Sequence, residues 1–555
     1  MERRRRPRRV RVALLVAAVC TAWLVGSRSP RPAQAAGPGG RVLLVGTWHD
    51  RQGTYRDVQG AVDAAKPGDW ILIAPGDYHE SPDANAGVLV TTPRVHLVGM
   101  DRNGVIVDGT LPDAPQPCDG DPAWQNSGPS GAGRNGIVVK ASGVSVDNLT
   151  VCNFVGQDRS GMQLAFDGGY GTARAGLGGF EASDITATST AASGARADVA
   201  SYGIFVSNTR GPGSITESAA SNMSDSALHI GGCSDCNTVF DHDLAQHSAI
   251  GFTAINAGGR LVLEHSTITD NGAGIDLASE QDLSAPPPQD GACPAGRRGP
   301  VAGNSRSCTV IFANSVTNNN DPNVPGSAAQ GGTLKFIGAG IYIAGGRDDT
   351  VAANTVSDQG SYGIATLIYP WQGPSAASAS HCQGGQTLVA GQLCLFNAYG
   401  NRIAGNRLAN NGAFGNPTNG DLADATLADD PANCFTDNTS VNGQLVTTAP
   451  AGLQTPTGTC ARRDSSALFG MLGVQIACAT QALGPCENDR PASALGAIKA
   501  LAGLLHGDTT ALDEPDLPTA SARYPSAVDV TVSTLAPQPG SPNPCHGVPR
   551  NPWCR

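Results

Sequence analysis

With 555 residues, 71 of them glycine, 5% aromatic and 15% charged, the chain can bury a large core and is too sparsely charged to be disordered by charge. The net charge of −11 becomes −19 when residues 1–35 are set aside, because that stretch holds nine arginines against one acid, Glu2, leaving 27 basic and 46 acidic residues. So acidic a chain speaks against nucleic acid or an anionic membrane as partner and leaves polysaccharide open.

Arg3 to Arg11 is a basic run, Val12 to Gly26 a short apolar one, and Ala33-Gln34-Ala35 a small-x-small step. Together they make an export signal with a cleavage site. The apolar run is short for a membrane anchor, and Val19 argues against a lipoprotein route through Cys20. The expected product is secreted or held at the cell surface, monomeric and free of the membrane after cleavage. Setting Cys20 aside leaves fourteen cysteines, an even number that suits disulfides in an exported protein. Sequence neighbours suggest Cys118–Cys152, Cys233–Cys236, Cys293–Cys308, Cys382–Cys394, Cys434–Cys460, Cys478–Cys486 and Cys545–Cys554, although sequence alone leaves the connectivity open. Cys233-Ser-Asp-Cys236 also has the spacing of a metal or redox dithiol.

After a Gly/Pro linker, Val58 to Ala65 reads as a short amphipathic helix with Val58, Ala61, Val62 and Ala65 on one face. Pro67-Gly68-Asp69 ends it. Short strands follow at 70–74, 88–90, 95–98 and 105–107. Residues 111–134 are a Pro/Gly/Asp-rich excursion, after which Gly136 to Phe154 resumes the strand pattern. Asn148 and the similar steps at Asn314, Asn354 and Asn406 read as turns in which Asn takes a left-handed conformation and bonds to its neighbours above and below.

From Ser201 to Leu277 one step recurs: SYGIFVSN, SALHIGG, SAIGFTA, GAGIDLA, then GIYIA and GIATL further on. Period-two alternation makes each a strand with one buried face. The inward pairs are expected at Ile204/Val206, Leu228/Ile230, Ile250/Phe252, Ile275/Leu277, Ile341/Ile343 and Ile364/Thr366. Recurrence every 22–25 residues in Gly/Asn-rich sequence means a solenoid of short strands. Long insertions follow Asp276 (to 307), Asn320 (321–333) and Leu367 (369–396), and loops on one edge of a solenoid wall its binding face. Beyond 415 the pattern fades. Residues 465–481 and 491–505 read as helices, followed by a Pro-rich tail.

The segment 54–80 resembles the cap helix and first coils of pectin-lyase-like proteins, and the chain resembles exported bacterial right-handed parallel β-helix repeat proteins. This resemblance implies an all-β, right-handed parallel β-helix solenoid at 36–460 with an N-terminal cap helix. Residues 461–555 would be a helical C-terminal cap and tail. It transfers no catalytic residue: the Arg-x-Pro-x-x-Arg of pectate lyases, the Gly-His-Gly of polygalacturonases and the Leu-Gly-Arg-Pro-Trp of pectin methylesterases are missing. VFDHDLAQH, with Asp241, His242, Asp243 and His247, loosely resembles the WIDH-type stretch of pectate lyases, and its simplest reading is a set of hydrogen-bonded turn residues.

Outward side chains of the recurring step are expected to be Phe205, His229, Gly251, Asp276, Tyr342 and Ala365, with Gly251 leaving a gap for a sugar ring. His229, Asp276 and Tyr342 are the candidate catalytic residues. An imidazole suits proton abstraction from a sugar ring, and a carboxylate serves as acid or as ligand to a cation, making Ca²⁺ a candidate cofactor. Glu280 and Trp371, on the insertions, are the candidate substrate-binding residues. Two functions stay open: a lyase- or epimerase-like enzyme acting on an acidic polysaccharide, and a non-catalytic surface or matrix protein that binds glycan or protein.

Overall fold

Three short strands per turn of chain, separated by tight corners, generate a parallel β-helix. The computed structural model describes residues 40–454, 525 and 530–554, apart from segments of which the longest are 280–307, 327–336 and 373–384. The export signal and the C-terminal helices therefore lie outside the described residues. Two faces of the solenoid belong to one 21-stranded sheet and the third is an 11-stranded sheet, every pair in both being parallel. Among the described residues, no helix is long and apolar enough to cross a membrane.

The core follows from the alternation. On the third face Ile204, Leu228, Phe252, Ile275, Ile341, Ile364 and Leu422 stack in register, coil upon coil, all fully buried. Ile215, Phe240, Leu263, Ile311, Val351 and Ile403 do the same on the first face. The register corrects one sequence expectation. Leu228 pairs with Phe252 and Ile230 with Ala254, so the inward pair of that coil is Phe252/Ala254 and Ile250 lies one step earlier, opposite Ser226. A slip of two residues preserves the alternation, so period alone does not distinguish the two registers.

Corners between the first and second faces are turned by one left-handed residue per coil: Asn148, Asp184, Glu217, His242, His265, Ala313 and Ala353. Asn148 thus adopts the expected conformation. Asn314, Asn354 and Asn406 do not; each follows the left-handed residue and points into the corner. There Asn314 N–H donates to Asn354 Oδ1 (2.9 Å) and Asn354 N–H to Asn406 Oδ1 (3.0 Å), while each side-chain amide also donates to a backbone carbonyl. Buried amides that would otherwise be orphaned at every corner are satisfied this way.

The N-terminal helix spans Val58–Ala64, with Asp57 as N-cap accepting from Gly60 N–H. Val58, Ala61 and Val62 join the core beneath the first coils. Glu80 accepts from Val58 and Gln59 N–H at the helix start. At the other terminus, residues 530–554 run outside the solenoid instead of stacking on it. Trp553 packs with Leu72, Val98 and Met100 on the outer side of the first face. Cys118–Cys152, Cys233–Cys236 and Cys545–Cys554 are disulfides, as the spacing suggested. Cys308 and Cys434 are also disulfide-bonded, and their expected partners lie outside the described residues. These bonds fit an exported protein.

Candidate functional site

The outer side of the third face carries the sequence candidates. In register along it run Phe205, His229, Thr253, Asp276, Tyr342 and Ala365. Thr253, not Gly251, separates His229 from Asp276, a direct consequence of the two-residue register difference. The expected gap is therefore filled by a hydroxyl that bonds to the histidine.

His229 projects from the strand Ser226–Cys233. Its ring lies flat on Phe205, with centroids 4.7 Å apart and 3° between planes, and Tyr202 packs against its side. A chain of hydrogen bonds leads away from it. Thr253 Oγ1 lies 2.7 Å from His229 Nδ1, the Thr253 hydroxyl donates to Ser226 Oγ (2.9 Å), and Ser226 donates to Asp225 Oδ1 (2.7 Å). Asp225 Oδ2 accepts from the Tyr202 hydroxyl (2.9 Å). The order of donors fixes the tautomer. A carboxylate only accepts, so Ser226 gives its proton to Asp225 and Thr253 gives its own to Ser226. The Thr253 oxygen then accepts from His229 Nδ1–H, leaving Nε2 with a lone pair. Burial pushes the imidazole pKa down to about 3, so the ring is neutral. Gly231, two residues on and on the same side, keeps space beside this nitrogen: a Cβ there would stand 2.9 Å from Nε2.

One coil beyond Thr253, Asp276 is hydrogen-bonded by the hydroxyl of Tyr342, its register partner. Burial, and then the negative charge of Asp276, hold the phenol well above its ordinary pKa, so it is protonated. The fold thus brings His229, Asp276 and Tyr342 onto one surface, Asp276 two strand steps from His229 and Tyr342 three, about 10 and 14 Å between backbones. Glu280 lies outside the described residues. The backbone of Trp371 is in the strand Tyr369–Gln372, opposite Cys394 in a small antiparallel sheet. Asp225, Ser226 and Thr253 were missed by the sequence reading. No recurring residue marks them in the sequence, since Ser226 pairs with Tyr202 on one side and Ile250 on the other.

The site is closed: His229 is 7% exposed and Tyr342 4%. The outer surface beside them is apolar, with Ile250, Ala273, Ala339, Tyr362 and Leu367 buried against one another.

No family model matches the sequence, and no curated protein does. Solved structures similar to it include a mannuronic acid-specific polysaccharide family 6 lyase from human gut microbiota, at 11% identity and a TM-score of 0.39, over 73% of this chain and 82% of that one. The periplasmic alginate epimerase AlgG is 11% identical with a TM-score of 0.36, over 67% and 77%. The Dettilon tailspike protein is 12% identical with a TM-score of 0.33, over 70% of this chain, which spans 62% of the tailspike's length. None of the residues above is carried over from these proteins.

Proposed function

We propose that this chain is a carbohydrate-active β-helix protein that moves a proton at a uronate ring of an acidic polysaccharide, as a lyase or an epimerase does. The observation that supports this most is the hydrogen-bond chain from His229 to Asp225. It holds the imidazole neutral, in the tautomer whose Nε2 accepts a proton, with a carboxylate at the far end to stabilise the imidazolium. In this reading Nε2 takes the proton from the ring carbon bearing the carboxylate. Tyr342, a protonated phenol, supplies one. Delivered to the departing glycosidic oxygen as the C–O bond breaks, that proton completes an elimination; delivered to the opposite face of the same carbon, it completes an epimerisation.

One observation favours a second reading. Both groups are almost fully covered, which suits a stiff polar seam inside a non-catalytic glycan- or protein-binding solenoid. Incubation with a panel of uronate polysaccharides in D₂O, with and without Ca²⁺, separates the two. Proton transfer gives unsaturated ends or ring deuterium, and His229→Ala and Tyr342→Phe should each slow it by about 10²-fold or more. Glycan binding with no deuterium and no unsaturated product would leave the binding reading. Turnover that survives both substitutions would put the chemistry elsewhere.

A further inference from the structure

The stretch around His242 takes no part in the site above, and the fold divides it. Asp243 points inward and is buried, and His247 turns the next corner. Asp241 and His242 stay outside, where they meet His265, the corner residue of the following coil. His242 and His265 are both left-handed, with φ of 60° and 51°, and their rings lie tilted at 35° to each other with centroids 5.1 Å apart. Asp241 Oδ1 lies 2.8 Å from Nδ1 of His242 and 2.9 Å from Nδ1 of His265. One donor atom from each of the three lies within 4.8 Å of the others. Glu264 is the register partner of Asp241, and Glu217 holds the same corner one coil before His242.

We propose that Asp241, His242 and His265 form a binding site for a first-row divalent transition-metal ion, for which Zn²⁺ is the probe. Two imidazole nitrogens and a carboxylate oxygen are a zinc-type donor set, whereas Ca²⁺ and Mg²⁺ take oxygen ligands. The spacing suits the ion. Neighbouring donors at ~2.1 Å from a metal stand about 3.0 Å apart around a six-coordinate centre and about 3.4 Å around a four-coordinate one. The observed separations of 2.8 and 2.9 Å need to open by only a few tenths of an ångström. The His265 N–H now donates to this carboxylate oxygen, and a cation placed among the three replaces it. The corner backbone is fixed by His242 N–H to Glu264 O and His265 N–H to Phe312 O, so little ordering remains to be done on binding. The imidazoles are 46% and 43% exposed, so an ion reaches them without any opening of the fold. This edge is distinct from the outer side of the third face, and the proposal holds whether or not that face is catalytic.

Asp77, His79 and Asp108 form a second cluster that serves as a control. It has a single imidazole, whose Nδ1 is already bonded to the Thr110 carbonyl (3.0 Å). The test is calorimetric titration of the untagged, disulfide-intact protein with Zn²⁺, together with Co²⁺ absorption spectra. One ion per chain is expected. His242→Ala and His265→Ala should each weaken binding by about tenfold or more, since even outer support of a metal ligand is worth 10–100-fold. His79→Ala should bind as the parent does. Zn²⁺ should raise the melting temperature of the parent and of His79→Ala but not of His265→Ala, while the metal-free proteins melt alike. No saturable binding, binding unchanged in His265→Ala, or binding lost only in His79→Ala would each overturn the assignment.

Discussion

His229 carries a pH signature that an exposed histidine lacks. Its pKa is pushed down to about 3 by burial, against about 6.5 in an unfolded chain. Below pH 6.5 the unfolded chain binds a proton that the folded chain refuses. Stability therefore rises with pH through the window from about 3 to 6.5 and is level with respect to this group above it. Each pH unit inside the window is worth about 1.4 kcal/mol, so lowering the pH from 6.5 to 4.5 should cost the protein roughly 2–3 kcal/mol through this one residue. His229→Gln keeps an N–H within reach of Thr253 Oγ1 and does not titrate. Urea midpoints measured between pH 4.5 and 7.5 should show a flatter acid limb in the variant. An acid limb of unchanged slope would assign the effect to another group.

At the scale of the strand and its corner, the inward Asn column shows both what the sequence discloses and what it hides. Positions 218, 243, 266, 314, 354, 406 and 438 stack in this order, each backbone N–H donating to the next side-chain oxygen. The inward apolar residues were legible because burial on one face imposes alternation, and Asn at 314, 354 and 406 was legible because few residues satisfy a corner. Thr253 was not, because a two-residue slip leaves alternation intact. Neither was the inward position of Asp243, since a run of hydrogen-bonded turn residues does not say which of them faces the corner. In the fold Asp243 Oδ1 accepts from Ser218 N–H, while Oδ2 is buried with no hydrogen-bond partner among the described residues. Burial holds this carboxyl well above the usual range. Each Asn in the column donates its Nδ2 to the carbonyl three residues before its neighbour in the preceding coil, as Asn314 does to Leu263 and Asn354 to Ile311. At 243 the equivalent carbonyl is that of Ile215. Asp243→Asn should therefore stabilise by about 1–2 kcal/mol, gaining one buried hydrogen bond and losing a carboxyl that resists ionisation. The folded pKa lies above the unfolded value, so the parent loses stability as pH rises between the two, and the advantage of the variant should widen from pH 4 to neutrality. Chemical denaturation at the two pH values tests this; equal or lower stability at neutral pH would refute it.

For the whole molecule, the tail decides how the coils melt. A solenoid is held by contacts between neighbours, so its end coils are free to fray. Here residues 530–554 return along the outside and tie positions hundreds of residues apart. Ser533 and Asn222 exchange two hydrogen bonds, as do Gln538 and Asn103, and Ser541 N–H donates to Asn148 Oδ1. Arg102 is the hub. Burial lowers its pKa to about 10, which leaves it charged, and its guanidinium donates to Thr186 Oγ1 and to the carbonyls of Ile185, Glu217 and Pro539. At the far end Trp553 Nε1–H donates to the Arg51 carbonyl (3.0 Å), across 502 residues of sequence. Full truncation of a buried Trp costs about 3–5 kcal/mol. Trp553 is buried in a small cluster on the outer side of the solenoid, so Trp553→Ala should cost about 3 kcal/mol. The loss should be local. Hydrogen exchange ought to accelerate in the strands Val42–Val45, Trp70–Ile73 and His96–Gly99 and stay unchanged at Tyr362–Leu367, which the tail does not touch among the described contacts. Uniform acceleration along the whole chain would mean that the solenoid unfolds as one unit, with the tail adding to a global total. No acceleration anywhere would mean that the cap helix and the first coils hold themselves. Arg102→Ala separates these further, because it releases the tail and also removes a donor shared by two coils. Its effect should therefore extend to the strand Gly213–Thr216, where that of Trp553→Ala should not reach.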